Sequence, residues 1–276
     1  MQDSNIFFAP AKLNIFLKVL GRRLDGYHLI RSGITFIDLF DKITINEIFS
    51  ETSITYSGLY SPLGGNYDDC IIKKTIKFLN INKNFNIFIE KNIPVQGGLG
   101  SASTNAATII KAFEKMNIIP KKEPKFYSSL GSDIPCFLFN KNCLVTGIGE
   151  NIYSHHFPKY YFLIIKPLFN NSTKDIYEKL NINKYPLNQK LLIDKIESKD
   201  NNIGNDFEDI IISTNPEFNL LFKFLKKLDN IIFTRMTGTG SCLYAVFKKK
   251  KYALDAQIKF KKEFKDLWSC ISENNF

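Results

Sequence analysis

The sequence predicts a fold that mixes β-strands with α-helices, and three observations carry that prediction. Apolar residues alternate in "AKLNIFLKVL" (11–20) and "DKITINEI" (41–48), which is the pattern of half-buried strands. A glycine-rich stretch, "PVQGGLGSASTNAA" (94–107), leads into apolar residues at helical spacing. Near the end of the chain, "IIFTRMTGTGSCLYAVF" (231–247) has the order strand, glycine turn, strand.

The other elements up to residue 167 follow from local patterns. The Asp-Gly pair in "LDGYH" (24–28) predicts a turn between the first two strands. One apolar face predicts a helix in "DDCIIKKTIKFL" (68–79), and "FNIFIEKNI" (85–93) returns to strand alternation. A shorter helix is predicted over 123–131, and the apolar run "YYFLIIKP" (160–167) predicts a buried strand.

The second half is less regular. Turn residues and few apolar anchors predict a loop in "NINKYPLNQK" (181–190). Helical periodicity resumes over 205–230, with a break at Pro216, and a final helix covers 252–264. The change in composition favours a domain boundary near 150–158.

Length and composition indicate a folded, water-soluble chain. With 276 residues, of which 44% are hydrophobic, the chain can form one large domain or two ordinary ones. No stretch approaches the ~18 consecutive apolar residues of a membrane span, and the first ten residues lack the pattern of a signal peptide. We expect a cytoplasmic protein with no membrane partner.

The cysteine and histidine positions argue against disulfide bonds and structural metal sites. The five cysteines are scattered and never form a C-x-x-C pair, and two of the three histidines are adjacent in sequence. Neither a disulfide framework nor a zinc site is indicated. We expect reduced thiols, mostly in the core, and no metal held by protein ligands.

The net charge of +10 raises the question of nucleic acid binding. Only four of the 37 basic residues are arginine, whereas proteins that read base edges rely on arginine. The lysines are also dispersed along the chain. We predict a basic solvated surface and no nucleic acid partner; a nucleic-acid-binding protein is the alternative, and salt-dependent binding to DNA would reveal it.

The glycine-rich stretch has the features of a phosphate cradle. A helix N-terminus presents unpaired N–H groups, and Gly97, Gly98 and Gly100 would let an anion come close to them. Nearby hydroxyls could bond phosphate oxygens or Mg²⁺. The stretch is neither a Walker A loop nor G-x-G-x-x-G. A glycine-rich loop before an ordinary helix cap is the alternative.

Four blocks in one order resemble the GHMP kinase superfamily: "PAKLNIFLKVLGRRLDGYH" (10–28), "PVQGGLGSASTNAA" (94–107), "LGSDIPCFL" (130–138) and "TGTGSC" (237–242). The first block is similar to the branch that phosphorylates a cytidine-diphosphate-linked methylerythritol. The resemblance spans residues 9 to about 247 and is weakest between 181 and 230.

The resemblance implies a fold and a reaction. The fold is α+β, with two GHMP-kinase domains (1–155, ATP-binding, and 156–276) and ATP and substrate in the cleft between them. The reaction is Mg²⁺-ATP-dependent phosphorylation of the 2-hydroxyl of the methylerythritol moiety, in non-mevalonate isoprenoid biosynthesis. Another small-molecule kinase of the superfamily, of homoserine or mevalonate type, is the alternative. A monomer or homodimer is expected.

The resemblance also implies roles for single residues. Asp133 matches the catalytic aspartate, which accepts the hydroxyl proton, and Lys12 the catalytic lysine, which stabilises charge during transfer. The nucleotide residues would be Pro94, Val95, Gln96, Gly97, Gly98, Leu99, Gly100, Ser101, Ala102, Ser103 and Thr104. The substrate residues would be Asn14, Tyr27, His28, Thr173, Tyr177, Gly238 and Gly240.

Each match has an ordinary structural alternative. Asp133 could be a turn or cap residue, Lys12 the solvated face of a strand, and "DGYH" or "TGTGSC" a plain turn. One departure from the superfamily is that Ser101 and Ala102 follow Gly100, where further glycine is usual. If the two residues lie in the first helical turn, their side chains are harmless, and we favour this. If they require positive φ, they would weaken ATP binding.

Overall fold

The computed structural model describes residues 5–62, 70–181 and 204–274. The strands are β1 (Ile6–Arg22), β2 (His28–Ile48), β3 (Ser53–Ser57), β4 (Asn84–Glu90), β5 (Cys143–Gly147), β6 (Asn151–Ser154), β7 (Tyr161–Lys166), β8 (Ile231–Met236), β9 (Leu243–Phe247) and β10 (Trp268–Glu273). The helices are α1 (Ile71–Leu79), α2 (Ser101–Lys115), α3 (Ile134–Phe139), α4 (Thr173–Glu178), α5 (Glu208–Thr214), α6 (Pro216–Lys226) and α7 (Lys250–Glu263). A 3₁₀ helix covers Pro124–Leu130.

The chain divides into two compact units, each assembled from separate segments. Unit 1 consists of Met1–Ala11, Leu39–Val95 and Gly100–Asn140. Unit 2 consists of Lys12–Asp38, Gln96–Leu99 and Lys141–Phe276. Strands β1 and β2 therefore contribute residues to both units. The predicted α+β class is confirmed.

In unit 1, β4 is the central strand. It pairs in parallel with β3 and antiparallel with the second half of β2. Its side chains alternate between solvent and core, so that Phe85, Ile87 and Ile89 are buried. Helix α2 packs Ile109 and Phe113 into the same cluster, which forms the core of this unit. The sheet and the helix are thus held by apolar burial, the dominant stabilising contribution in folding.

In unit 2, an antiparallel sheet has the strand order β10-β7-β9-β8. Strands β7 and β9 are its central pair and are almost wholly buried. Helices α5, α6 and α7 contribute apolar residues to the same core, including Phe218, Leu225 and Phe260. The first half of β2 pairs with β5, and β5 with β6.

Most predicted elements are present. The break at Pro216 is confirmed: Asn215 ends α5 and its side chain accepts from Phe218 N at 2.9 Å, while the proline occupies the first position of α6. The helix predicted over 123–131 is a 3₁₀ helix, and four strands (β3, β5, β6 and β10) and the helix α3 were not predicted. The loop predicted over 181–190 lies, apart from residue 181, outside the described residues.

The cysteine prediction is also confirmed. All five thiols are free, and Cys136, Cys143 and Cys242 are buried. Within the described ranges, no helix combines the length and apolarity that a membrane crossing requires.

Candidate active site

The first turn of α2 has no side-chain cap. The helix begins at Ser101 after Gly100, which has a φ of 75° and provides no side-chain cap. Thr104 N is the first helical amide with an acceptor in this turn, Gly100 O at 2.9 Å, so the amides of 101–103 have no intrahelical partner. Ser101 and Ala102 lie in the first turn, as we favoured, and their side chains impose no strain.

The three hydroxyls of this turn differ in their surroundings. Ser101 Oγ accepts a hydrogen bond from Lys91 Nζ at 2.5 Å. Ser103 is half-buried beside the loop before α3. Thr104 is only 1% exposed, and its Oγ1 has no hydrogen-bond partner within the part of the chain that the structure describes. Since buried hydroxyls are normally satisfied, Thr104 Oγ1 is a candidate ligand contact.

Asp133 lies in unit 1, directly before α3 and close to the α2 entrance. A Cβ atom on Gly131 would lie 3.9 Å from Ser103 Oγ, so the loop 131–133 runs beside the first turn of α2. Asp133 occupies the cap position of α3, yet its side chain makes no capping hydrogen bond. Its carbonyl oxygen accepts from Phe137 N at 3.3 Å. The half-buried carboxylate is therefore not used as a helix cap.

Lys12 and Asn14 form a buried cluster in unit 2. Lys12 is 4% exposed, so its alternative role on a solvated strand face is wrong. Its Nζ donates to Asn14 Oδ1 at 2.5 Å, which confirms that the two side chains share one strand face. Asn14 Nδ2 donates to Ser32 Oγ at 2.8 Å, and the backbone carbonyl of Asn14 accepts from the Tyr244 hydroxyl at 2.7 Å. Asn14 thereby fixes the position of the ammonium group.

Two glycine turns of unit 2 pack against each other beside this cluster. Gly98 has a φ of 76°, and a Cβ on it would lie 2.0 Å from Thr237 O, so no other residue fits. Thr237 Oγ1 donates to Gly98 O at 3.1 Å and is 3.2 Å from Asn14 Oδ1. Gly238 and Gly240 also have positive φ. Two blocks that are about 140 residues apart in sequence thus meet at Asn14.

The residues predicted to contact cytidine come together in part. The rings of His28 and Tyr177 lie 4.8 Å apart, and Tyr177 packs edge-on against Phe207 at 4.7 Å. Burial and the nearby charge of Arg22 lower the pKa of His28, which favours the neutral imidazole. Tyr27 is 61% exposed. The "DGYH" segment is also a turn, closed by a hydrogen bond from Arg23 N to Tyr27 O at 2.7 Å.

Thr173 connects the residues predicted to contact cytidine to the second glycine turn. Its hydroxyl is 3.1 Å from Thr239 Oγ1, and Asn171 Nδ2 donates to Thr239 O at 3.0 Å. Helix α4, which begins at Thr173, is therefore joined to the turn that contains Gly238 and Gly240.

Two residues that the sequence analysis missed support this region. Asn205 Nδ2 donates to Met236 O at 2.9 Å and to Gly238 O at 2.8 Å, which holds the base of the glycine turn. Lys166 Nζ donates to three oxygen atoms of the loop before α4. An Asn-Asp pair before a helix suggests a cap and could have drawn attention to Asn205. Lys166 has no comparable signal, since its partners are mostly backbone carbonyls.

The predicted site residues divide between the two units. Asp133, Pro94, Val95 and residues 100–104 belong to unit 1, and Lys12, Asn14, residues 96–99 and all the other predicted substrate residues belong to unit 2. In the described ranges, no group of three or more His, Cys, Asp or Glu side chains could hold a metal ion.

Comparison with known proteins identifies the class. Residues 69–140 match the GHMP kinases N terminal domain and residues 188–266 match the GHMP kinases C terminal domain. A solved structure of 4-(cytidine 5'-diphospho)-2C-methyl-D-erythritol kinase superposes with a TM-score of 0.77 at 19% identity, covering 98% of this chain and 100% of that one. Fold and matches together define a small-molecule kinase of the GHMP class, whose phosphoryl donor is ATP.

Curated relatives narrow the class to one family. A protein from Francisella tularensis subsp. holarctica is 34% identical over 252 residues, 88% of each chain. One from Ruthia magnifica is 32% identical over 275 residues, 95% of this chain and 92% of its own. Both are named 4-diphosphocytidyl-2-C-methyl-D-erythritol kinase. The chain belongs to this kinase family.

Proposed function

We propose that the protein transfers the γ-phosphoryl group of ATP to the 2-hydroxyl of 4-diphosphocytidyl-2-C-methyl-D-erythritol, a step of non-mevalonate isoprenoid biosynthesis. The observation that carries this proposal is the similarity, over about nine-tenths of the chain, to relatives that bear the name of that kinase. The proximity of His28 to Tyr177 supports it, because an imidazole and a phenol ring suit a pyrimidine base. The relatives' names do not favour a homoserine or mevalonate substrate.

The proposed catalytic residues are Asp133 and Lys12. Asp133 accepts the proton of the attacking hydroxyl, a role that a carboxylate can take as a general base. Lys12 contributes a fixed positive charge, held by Asn14, that stabilises negative charge as transfer proceeds. Phosphoryl transfer depends mainly on such positioning and charge stabilisation.

The proposed nucleotide residues run from Pro94 to Thr104. The backbone amides of 101–103 at the helix entrance would bind phosphate oxygens, and Thr104 Oγ1 is a buried hydroxyl with no described partner that suits the same ligand. Mg²⁺ bound to ATP would neutralise phosphate charge. Ser103 and Thr104 supply hydroxyl oxygens of the kind that Mg²⁺ accepts as ligands.

The remaining assignments belong to this proposal. Tyr27, His28, Thr173 and Tyr177 contact the cytidine, and Asn14, Gly238 and Gly240 border the substrate. We further propose domains over 1–155 and 156–276, a monomeric or homodimeric enzyme in the cytoplasm, and no nucleic acid partner. The two family matches lie on either side of residue 155 and are compatible with that boundary.

The decisive experiment measures ATP consumption with 4-diphosphocytidyl-2-C-methyl-D-erythritol, mevalonate and homoserine in parallel. Turnover is expected with the cytidine compound alone. Asp133→Asn and Lys12→Ala should each lower kcat by about 100-fold or more. A folded wild-type protein that binds ATP but turns over only mevalonate or homoserine would replace the proposed substrate.

A further inference from the structure

Four polar side chains of unit 1 form a buried network at the start of α2. Asp41 comes from β2, Lys91 directly follows β4, and Ser101 and Asn105 lie one turn apart on α2. All four are more than nine-tenths buried, and Asp41 is fully so. The network thus joins three separate segments of the chain within the unit.

The Lys91 ammonium group and the Asp41 carboxylate both have hydrogen-bond partners within unit 1. Lys91 Nζ forms an ion pair with Asp41 and donates to Ser101 Oγ at 2.5 Å and Asn105 Oδ1 at 2.7 Å, which uses its three protons. The Asp41 carboxylate also accepts from Asn105 Nδ2 at 2.9 Å, Asn92 N at 2.7 Å and Ile93 N at 2.8 Å.

Stability alone does not account for such a network. A buried ion pair is often no more stabilising than well-packed apolar side chains of the same volume, because desolvation of two charges is costly. Burial indeed lowers the pKa of Lys91, although Asp41 opposes the shift. What the network supplies is one defined arrangement, since its directional bonds can all form only when the three segments are in register.

The α2 entrance is where a defined arrangement matters. Gly100 provides no cap, so the first turn is not held by the usual side-chain bond. Ser101 and Asn105 instead bond to the Lys91 ammonium group from one face of the helix. The opposite charges of Lys91 and Asp41 cancel, so the network adds little net charge to the entrance.

We propose that Lys91, together with Asp41 and Asn105, positions the first turn of α2 so that its amides bind the phosphates of the nucleotide. These are positioning residues, because their polar atoms bond one another and the loop after β4. The inference rests on the proposed nucleotide site. It concerns triphosphate binding and makes no demand on the identity of the phosphoryl acceptor.

The test uses the double variant Lys91→Met/Asp41→Asn. Methionine fills most of the lysine volume, and the amide introduced in place of the Asp41 carboxylate keeps an oxygen to accept from Asn92 N and Ile93 N, so no charge is left buried. Calorimetric titration with Mg²⁺ and AMP-PNP, a non-hydrolysable ATP analogue, should give an affinity about 10-fold weaker than wild type. Affinity for AMP, which lacks the outer phosphates, should change less than 2-fold.

Two further variants make the result specific. Asn105→Ala removes the α2 side chain that bonds to both Lys91 and Asp41, and it should also weaken AMP-PNP binding. Lys83→Met is the matched control. Lys83 lies directly before β4, whereas Lys91 lies directly after it. Lys83 Nζ pairs with Glu47 Oε2 at 2.9 Å, and both side chains are exposed. This control should bind both nucleotides as wild type does.

The outcomes separate this inference from the proposed function. Unchanged AMP-PNP affinity in the folded double variant, or an equal loss for AMP-PNP and AMP, would overturn the positioning role. Because both ligands are nucleotides, the measurement needs no cytidine substrate. A selective loss of AMP-PNP binding would support the network even if phosphoryl transfer occurred to another acceptor.

Discussion

Two buried lysines, one in each unit, hold a functional segment in different ways. Lys91 bonds to a carboxylate, a hydroxyl and an amide oxygen at the start of α2. Lys166 bonds only to neutral oxygens: Pro167 O at 2.9 Å, Phe169 O at 2.8 Å and Asn170 Oδ1 at 2.9 Å. Burial lowers the pKa of both. The hydrogen-bonded Asp41 carboxylate opposes the shift at Lys91, and Cys242 and Glu217 oppose it at Lys166.

Because the two lysines have different partners, their removal should have different consequences. Without Lys91, a fully buried carboxylate loses its counter-charge, although backbone amides still bond to it. Without Lys166, three carbonyl and amide oxygens lose a donor. We therefore expect Lys91 to affect both stability and the position of α2. We expect Lys166 to affect mainly the conformation of the loop before α4.

The largest expected effect is on stability. Lys91→Met should lower the free energy of unfolding by about 3–5 kcal/mol, because breaking a buried pair leaves an uncompensated charge. Lys166→Met should cost about 1–3 kcal/mol, the range for unsatisfied buried polar groups. Urea unfolding of both variants measures the difference. Equal losses would show that the carboxylate does not distinguish the two sites.

The next effect tests the charge directly. If the unpaired carboxylate causes the loss at Lys91, the added Asp41→Asn substitution should restore about 0.5–3 kcal/mol of unfolding free energy, the usual range of coupling between contacting residues. A double-mutant cycle in urea provides the coupling energy. Additive losses in the double variant would mean that packing, and not charge, dominates.

Lys166→Met should also change kinetics at one substrate only. Lys166 holds the loop that precedes Asn171 and Thr173, both of which bond to the Thr239 turn. We expect KM for the cytidine substrate to rise about 10-fold, equivalent to about 1.4 kcal/mol, with KM for ATP unchanged. Lys174→Met, at an exposed position one residue into α4, is the control. A rise in KM for ATP alone would contradict this assignment.

The smallest effect concerns pH and a third lysine. Burial lowers the pKa of Lys111 on α2 to about 8, against weaker opposing effects of Cys136 and Glu114. Between the folded pKa of about 8 and the unfolded value of 10.5 the unfolded state binds more protons, so the free energy of unfolding rises with pH, by about 1–2 kcal/mol from about pH 7.5 to about pH 9.5.

Lys111→Met should lack this contribution. The quantity to measure is the wild-type minus variant difference in unfolding free energy at about pH 7.5 and about pH 9.5, in which titration of other groups largely cancels. We expect this difference to increase between the two pH values, because only the wild type has the Lys111 contribution. A difference that stays constant or decreases at the higher pH would mean that the Lys111 pKa is not lowered.

Sequence patterns predicted the elements because periodicity is local. The alternation in β1 and β2, the helical face of α2 and the break at Pro216 each depend on a few neighbouring residues, and each is present. The short strand β10 was missed, since most of its side chains are half-buried and no clean alternation results. Lys12 and Asn14 could be paired in advance because residues two apart share a strand face.

Supporting residues were not predictable in the same way. Asn105 was unremarkable as a helical asparagine, and Lys91 resembled any lysine after a strand. Their role depends on Asp41, which is 50 residues from Lys91 in sequence. Local sequence carries no signal for a partner at that distance, and resemblance to a superfamily highlights motifs rather than the residues that hold them.

The sequence by itself determined the class of fold, the order of its elements, the kinase family and the segments that bear the chemistry, because these depend on local periodicity and contiguous motifs. Tertiary structure alone decided that Gly98 meets Thr237, that His28 meets Tyr177 and that Lys91 is buried against Asp41. Such contacts follow from how strands pair and where burial removes water. Both are properties of the folded chain, and they decide whether a lysine is a solvated surface charge or the centre of a hydrogen-bond network.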